Sequence, residues 1–228
     1  MAKKKIGRKQ LKQPDEFITL TAKAIQWGQK HTKEIGFTAI ALVGILLATV
    51  GYRYVDNKKE TRGFALLNQA RVKYAAEMEK TDDPEKVYEA VRDDYQKIID
   101  DFSGNSAGRI ARKRLGDICF EARQYDRAIE LYEKSLVDFK KEPFYRSIIL
   151  NDLAYACDAN KNDEAAMRYF KMIIEIPGAP LKDQAMFHLA GYYEKQEKMD
   201  RARELYKKIN DQYAESLYID LIKEKISG

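Results

Sequence analysis

The chain has 228 residues, 45% of them hydrophobic and 34% charged, and its formal net charge is +5. The basic excess lies before residue 35, where there are nine basic and three acidic residues, while the remainder has 32 basic and 33 acidic residues. Because the larger part is close to neutral and has no concentrated basic face for phosphates, the charge pattern argues against a nucleic-acid-binding protein.

Residues 1–34 form a basic arm. It begins with MAKKKIGRKQLKQ, a lysine-rich tail that is typical of a solvated topology signal in contact with anionic lipid. The helix-start signal Pro14-Asp15-Glu16 follows. After it, helical spacing predicts a short amphipathic helix in the headgroup plane. Its apolar stripe consists of Phe17, Leu20, Ala24 and Trp27.

Residues 35–52, IGFTAIALVGILLATVGY, carry no charge. As a helix, this stretch would be roughly 27 Å long, close to the hydrocarbon thickness of a bilayer. Trp27, Tyr52 and Tyr54 flank it as interfacial aromatics do. We therefore predict a transmembrane helix over residues 35–55. The alternatives are a buried helix of a soluble core and a cleaved signal sequence, although the preceding arm is long for a signal.

The distribution of basic residues predicts the orientation of this span. The basic residues that follow it closely are Arg53, Lys58, Lys59 and Arg62, compared with nine before it. The positive-inside rule then places the arm in the cytoplasm and residues 56–228 across the membrane.

Residues 106–228 contain an internal repeat whose copies are 38 and 36 residues apart. Each copy has a leucine followed by a small residue, an alanine 12 positions later and an aromatic four positions further. In chain order these are Gly116, Ala128 and Tyr132; Ala154, Ala166 and Phe170; and Ala190, Ala202 and Tyr206. This spacing predicts stacked helical hairpins, in which small residues let paired helices approach and aromatics fill the space between hairpins.

The pattern L-G/A-x2-Y…A-x3-F resembles the tetratricopeptide repeat, with copies at 108–136, 147–173 and 185–209. The chain departs from that pattern where the first helix usually has Trp; those positions are Arg112, Leu150 and Met186. The resemblance implies an α-solenoid of tetratricopeptide-like helical hairpins. With the predicted span, the fold is expected to be all-α, with a single N-terminal transmembrane helix followed by this solenoid.

A degenerate hairpin is predicted over residues 56–105, before the three repeats, and its first helix can continue the membrane helix. The apolar face of that first helix comprises Phe64, Leu67, Ala70 and Tyr74, and that of the second comprises Val87, Val91, Tyr95, Ile98 and Phe102. Residues 216–226 are expected to form a C-terminal capping helix over the last open face.

The first helix of each hairpin should line the concave face of such a stack, so we predict a protein-binding surface there. Its residues are Lys113, Asp117 and Phe120; Asn151, Tyr155 and Asp158; and Phe187, Gly191 and Glu194. Aromatic and charged side chains in this arrangement suit an extended peptide or a partner helix. The alternatives are that the aromatics pack on neighbours or on the capping helix, and that the surface serves self-association.

No catalytic, cofactor-binding or metal site is predicted. The sequence has two histidines and no Cys-x-x-Cys, His-x-x-x-His or phosphate-binding glycine loop. Cys119 and Cys157 occupy the same position in adjacent copies, where we expect small buried core residues. A disulfide between them is the open alternative, although it needs Cα atoms within about 7 Å.

The overall layout resembles the ancillary subunit of the bacterial Sec translocon and the repeat domain of a periplasmic cell-division coordinator. The resemblance implies a non-enzymatic adaptor in the bacterial inner membrane, with a cytoplasmic N-terminus and periplasmic repeats. Its partners would be translocon components, periplasmic chaperones or peptide segments. The alternatives are a structural subunit that uses its single span in a membrane complex, an exported soluble repeat protein in envelope or cell-division assembly, and an enzyme.

Overall fold

The computed structural model describes residues 16–227, so the lysine-rich tail and the first two residues of the Pro14-Asp15-Glu16 signal lie outside the described residues. Over the described range the chain is all-helical and has no strand, which confirms the predicted fold class. It divides into two compact units, with the boundary between Asn57 and Lys58.

The first unit contains α1 (Glu16–Lys30), a turn at His31 and the beginning of α2 (Thr32–Lys80). An 18-residue window of α2 has a mean hydropathy of 2.1, and none of it is buried. Within it, the Thr49 hydroxyl donates to the Leu46 carbonyl at 2.8 Å, which satisfies a polar group without an outside partner. By length and composition α2 can therefore cross a membrane, and the span at 35–55 stays a prediction.

The second unit contains the rest of α2 and eight further helices among the described residues. These are α3 (Pro84–Asp101), α4 (Ser106–Glu121), α5 (Tyr125–Asp138), α6 (Pro143–Ala159), α7 (Asp163–Glu175), α8 (Lys182–Lys195), α9 (Met199–Gln212) and α10 (Ile219–Ser227). From α3 onward each helix packs on the next in the chain. The three sequence copies thus form the hairpins α4/α5, α6/α7 and α8/α9, and α10 packs on α9 where the capping helix was expected.

The repeat positions form the interior of the hairpins. The small residues and the alanines are buried, as are Tyr132, Phe170 and Tyr206. Gly116 shows why one of these positions must be small, because a Cβ on it would lie 2.7 Å from the Tyr132 ring. A real Cβ does not approach a ring carbon that closely, so glycine is what lets α4 and α5 meet there.

The turn inside each hairpin ends the first helix in the same way. The second residue after each of these helices has a left-handed backbone: Arg123, Lys161 and Glu197 have φ of 59°, 60° and 59°. The next amide donates five residues back, as from Gln124 to the Cys119 carbonyl at 2.8 Å. This is the Schellman cap, which satisfies carbonyls at the helix end. It occurs here without the glycine that usually accommodates a positive φ.

The second part of α2 contacts α3, and the degenerate hairpin over residues 56–105 stays a prediction. Leu67 and Ala70 are buried, whereas Phe64 of the same predicted face is 42% exposed. Across the pair Lys73 Nζ lies 2.7 Å from Asp94 Oδ2. Pro84 occupies the first turn of α3, where its missing N–H costs nothing.

Candidate protein-binding surface

In the first repeat the predicted surface residues are engaged by charges within the chain. Lys113 Nζ lies 2.8 Å from Asp117 Oδ1 and 3.0 Å from Asp152 Oδ2, which belongs to the next repeat. Tyr132 donates its hydroxyl to Asp117 at 2.9 Å. Burial by itself would lower the pKa of Lys113, but the two carboxylates outweigh it and the pKa is raised. The lysine is therefore held as an ion pair between two repeats.

The other two predicted residues near this network differ in their surroundings. Phe120 is half-buried and its ring centroid lies 5.7 Å from that of Tyr125, so it packs on its own hairpin. Asn151 is half-buried, and its Oδ1 atom is buried with no hydrogen-bond partner among the described residues.

In the second repeat the predicted residues contact α8. Tyr155 Oη lies 2.7 Å from His188 Nε2 and accepts a hydrogen bond from Gln184 at 2.6 Å. The His188 ring stacks on Phe170, with centroids 5.3 Å apart. Burial lowers the pKa of His188, with Asp158 opposing this, and the neutral imidazole is thereby favoured in its hydrogen bond with the Tyr155 hydroxyl. This aromatic cluster fixes the orientation of α8 against α6.

In the third repeat the predicted residues meet the C-terminal segment. Phe187 stacks on Tyr218 with ring centroids 4.2 Å apart and an angle of 14° between planes. Glu194 receives Lys225 of α10, with the ammonium 2.7 Å from Oε2. The sequence left open the alternative that the aromatics pack on neighbours or on the capping segment. Phe120 and Phe187 pack in this way.

A groove remains open over α8, with a volume of about 470 Å³. We call it the α8 groove; it is lined by Asp158, Phe187, His188, Gly191, Tyr192, Glu194, Lys195, Tyr206, Leu221 and Lys225. Four of the nine predicted surface residues are therefore brought together here: Asp158, Phe187, Gly191 and Glu194.

Gly191 gives the α8 groove its depth, since a Cβ built on it would meet nothing within 4 Å. Leu221 on α10 is 47% exposed at the same groove. The groove is lined by two acidic and two basic side chains, which already have partners within the chain. Asp158, for example, accepts a hydrogen bond from the Tyr192 hydroxyl, and Lys195 lies 4.8 Å from the Tyr192 ring. A groove with apolar walls, an open floor and a polar rim accepts an apolar side chain of a partner segment.

Some lining residues were not predicted to belong to a binding surface. Tyr206 was assigned to the hairpin interior, and Leu221 and Lys225 to a helix that only caps the stack. Tyr206 reaches the groove from α9, and Leu221 and Lys225 reach it because α10 also lies beside α8, where Lys225 pairs with Glu194. The sequence predicted a capping helix over residues 216–226, but it did not indicate which face of that helix would lie against α8.

One segment has the spacing of a hydrolase motif, since residues 104–108 read GNSAG, or G-x-S-x-G. A nucleophile elbow joins a strand to a helix, whereas this segment joins α3 to α4. Glycine at position 108 is needed where α4 begins, because a Cβ there would lie 2.1 Å from the Phe102 carbonyl oxygen.

No three His, Cys, Asp or Glu side chains within residues 16–227 converge as metal ligands.

Comparison with known proteins identifies the repeats. Residues 70–143 match one family model described as tetratricopeptide repeat, and residues 184–216 match another. These segments are tetratricopeptide repeats. The first includes the predicted copy at 108–136 and the second the copy at 185–209, while 147–173 lies between the matched segments. A search of the curated proteins found no match.

Two solved structures are similar to this chain, and the first of them shares its fold. BtubC (BKLC) from P. vanneervenii is similar with a TM-score of 0.52 at 16% identity over 68% of this chain, which spans 65% of that protein's chain. The pilF protein of Pseudomonas aeruginosa has a TM-score of 0.47 at 14% identity, with 78% of this chain and 89% of that chain covered. The repeats indicate a protein–protein interaction adaptor, and this all-helical fold is typical of non-enzymatic scaffolds.

Proposed function

We propose that this protein is a non-enzymatic, membrane-anchored adaptor that binds protein partners through the α8 groove. In this proposal α2 crosses the bacterial inner membrane once over residues 35–55, the N-terminus is cytoplasmic and the repeats are periplasmic. The partners are components of the Sec translocon or periplasmic chaperones, which present a segment with an apolar anchor residue.

The observation that carries the binding function is the open floor of the α8 groove at Gly191. Elsewhere on the predicted surface Lys113, Asp117 and Tyr155 are already bound to side chains of the same chain, as Lys113 is to Asp152 at 3.0 Å. Around Gly191, in contrast, aromatic rings already ordered by stacking surround free space. Rings that are fixed before binding lose little entropy when a partner arrives, which favours affinity.

The anchoring part is supported by the apolar window of α2, none of which is buried. A helix that exposes Phe37, Ile40 and Leu47 to water would be an aggregation liability unless lipid or protein covers it. The excess of basic residues before this window supports a cytoplasmic N-terminus.

Crosslinking in cells tests the groove. A photo-reactive amino acid at position 191 should form adducts with a translocon subunit or chaperone identified by antibody, and the same probe at exposed Lys134 should not. The variant Gly191→Trp fills the groove and should abolish adducts from position 195. Gly104→Trp is a matched control, because Gly104 also has nothing within 4 Å of its Cβ direction but lies outside the groove.

Equal adducts from positions 134 and 191, or adducts that survive Gly191→Trp, would remove the groove from the proposal. A separate experiment tests the topology: a reporter that fluoresces only in the cytoplasm should stay dark when fused after Gly228 and glow when fused before Met1. The opposite pattern would refute the periplasmic location of the repeats.

A further inference from the structure

The helix α1 exposes apolar and basic side chains together. Leu20 and Trp27 are 65% and 62% exposed, and Ile25 is 60% exposed. Lys23 and Lys30 are exposed on the same helix. Single exposed apolar residues are ordinary, but Leu20 and Trp27 are seven residues apart on one side of the helix and form an exposed apolar stripe there.

Helix geometry separates these side chains onto two faces. Leu20, Ala24 and Trp27 follow the i, i+4, i+7 spacing and share one face. Lys23 and Lys30 are seven residues apart, so they lie above one another on the flank of that face. An apolar face with lysines along its edge is the pattern of a helix lying in a lipid interface.

The apolar face continues across the turn at His31. One groove of about 350 Å³ is lined by Trp27, His31, Glu34, Ile35, Thr38, Ala39 and Leu42, all in the first unit. His31 Nδ1 and Glu34 Oε2 are 2.9 Å apart, and the His31 ring lies 5.0 Å from the Trp27 ring. A polar pair beside a tryptophan at the start of an apolar window is the composition expected at headgroup depth.

The charges around α1 indicate whether lipid or a second copy of the chain covers its apolar face. Between Leu20 and Lys33, which covers most of α1, the turn and the first two residues of α2, there are three lysines and no acidic residue. Two such faces would repel each other, whereas an anionic leaflet attracts each of them.

We propose that α1 is a membrane-surface helix, with Trp27 at headgroup depth and Lys23 and Lys30 on anionic lipid headgroups. The inference rests on the proposed crossing of the bilayer by α2 and goes further, because it gives α1 a lipid-binding function of its own. The ligand class is an anionic phospholipid surface rather than a single bound phosphate.

The composition of the chain makes the test direct, since Trp27 is its one tryptophan. The full-length protein is reconstituted in vesicles of phosphatidylcholine alone or with phosphatidylglycerol, and with lipids brominated at different depths. In the anionic vesicles Trp27 emission should shift to the blue, and bromine nearest the headgroup should quench it most. The charge reversals Lys23→Glu and Lys30→Glu together should remove both effects, whereas Lys58→Glu with Lys59→Glu, after the span, should leave Trp27 unchanged.

A second reporter separates this inference from the anchoring on which it rests. In the double variant Trp27→Phe/Leu46→Trp, the new tryptophan lies in the middle of the proposed span and should be quenched most by bromine at the bilayer centre. If position 46 is quenched deeply but Trp27 is not quenched at all, the surface helix is refuted and the span stands. If neither position is quenched, both proposals fail.

Three further results would overturn the inference. Deepest quenching of Trp27 at the bilayer centre would show that α1 is inserted with α2. A blue shift without quenching by brominated lipid would show that another copy of the chain covers Trp27. Quenching that is equal in neutral vesicles and insensitive to the two lysine reversals would exclude a contact with anionic headgroups.

Discussion

The first and last repeats share the same sequence pattern but differ in what their first helices contact. In the first, Asp117 binds Lys113 and accepts a hydrogen bond from the Tyr132 hydroxyl. In the last, the equivalent position is Gly191, which faces open space in the α8 groove. The positions that define the repeat are equally buried in both hairpins. What separates a supporting repeat from a binding repeat is therefore the side chains that the pattern leaves free.

The largest effect that would test this comparison is expected at Arg112 in the supporting repeat. Arg112 is 9% exposed and its guanidinium is paired with Asp138 of α5. Arg112→Ala leaves that carboxylate without its partner and should cost about 3–5 kcal/mol of unfolding free energy, as breaking a buried pair does. Urea unfolding of residues 58–228 measures it. The double variant Arg112→Met/Asp138→Leu should recover most of the loss; if it does not, packing rather than charge is responsible.

A smaller loss is expected for Gly116→Ala. The added methyl would lie 2.7 Å from the Tyr132 ring, so α4 and α5 must separate or the ring must move. Overpacking of this kind costs about 1–3 kcal/mol, and the higher helix propensity of alanine offsets about 1 kcal/mol of it. Urea unfolding should show a net loss. An unchanged midpoint would mean that the contact is loose and that the first repeat is less closed than its geometry indicates.

Tyr218→Ala tests how the last repeat holds α10. It removes a ring that stacks on Phe187 at 4.2 Å, an interaction worth about 1 kcal/mol beyond the area it buries. Amide hydrogen exchange in residues 219–227 should accelerate, while exchange in α4 and α5 stays the same. Uniform acceleration across all the repeats would show that the stack opens as one unit.

Gly191→Ala should do the opposite of Gly116→Ala. The methyl meets nothing within 4 Å, so only the helix propensity changes, and the unfolding free energy should rise by about 0.5–1 kcal/mol. Thermal unfolding beside Gly116→Ala compares a glycine packed against a ring with a glycine that faces open space. A loss of stability at Gly191 would show that the groove is closed in solution.

The smallest effect is expected at a turn. Arg123 holds φ of 59°, which glycine adopts without strain, so Arg123→Gly should raise stability by about 0.5 kcal/mol. Its neighbour Gln124 has φ of −81°, and Gln124→Gly should lower stability instead. Thermal unfolding of both variants checks the sign, and a gain in both would contradict the turn geometry.

The sequence predicted the hairpins because their spacing is local: a leucine, a small residue, an alanine and an aromatic at fixed offsets specify two packed helices. It could not predict that Lys113 pairs with Asp152, since the two are 39 positions apart and lie on different hairpins. Nor could it show the left-handed turns, because Arg123, Lys161 and Glu197 are none of the residues that usually adopt that conformation. The sequence thus predicted a binding surface spread over the first helices of three repeats. Only the long-range contacts in the structure show that its open part is the α8 groove.

The two cysteines have a consequence for how the repeats open. Cys119 and Cys157 are free thiols, 0% and 2% exposed, and burial raises the pKa of Cys119 to about 11 and also raises that of Cys157. Alkylating reagents attack the thiolate, so they can reach each sulfur only when its own hairpin unfolds locally. Each of these two neighbouring repeats thus contains a thiol that reports its own local unfolding. The ratio of the two labelling rates shows which repeat unfolds more readily.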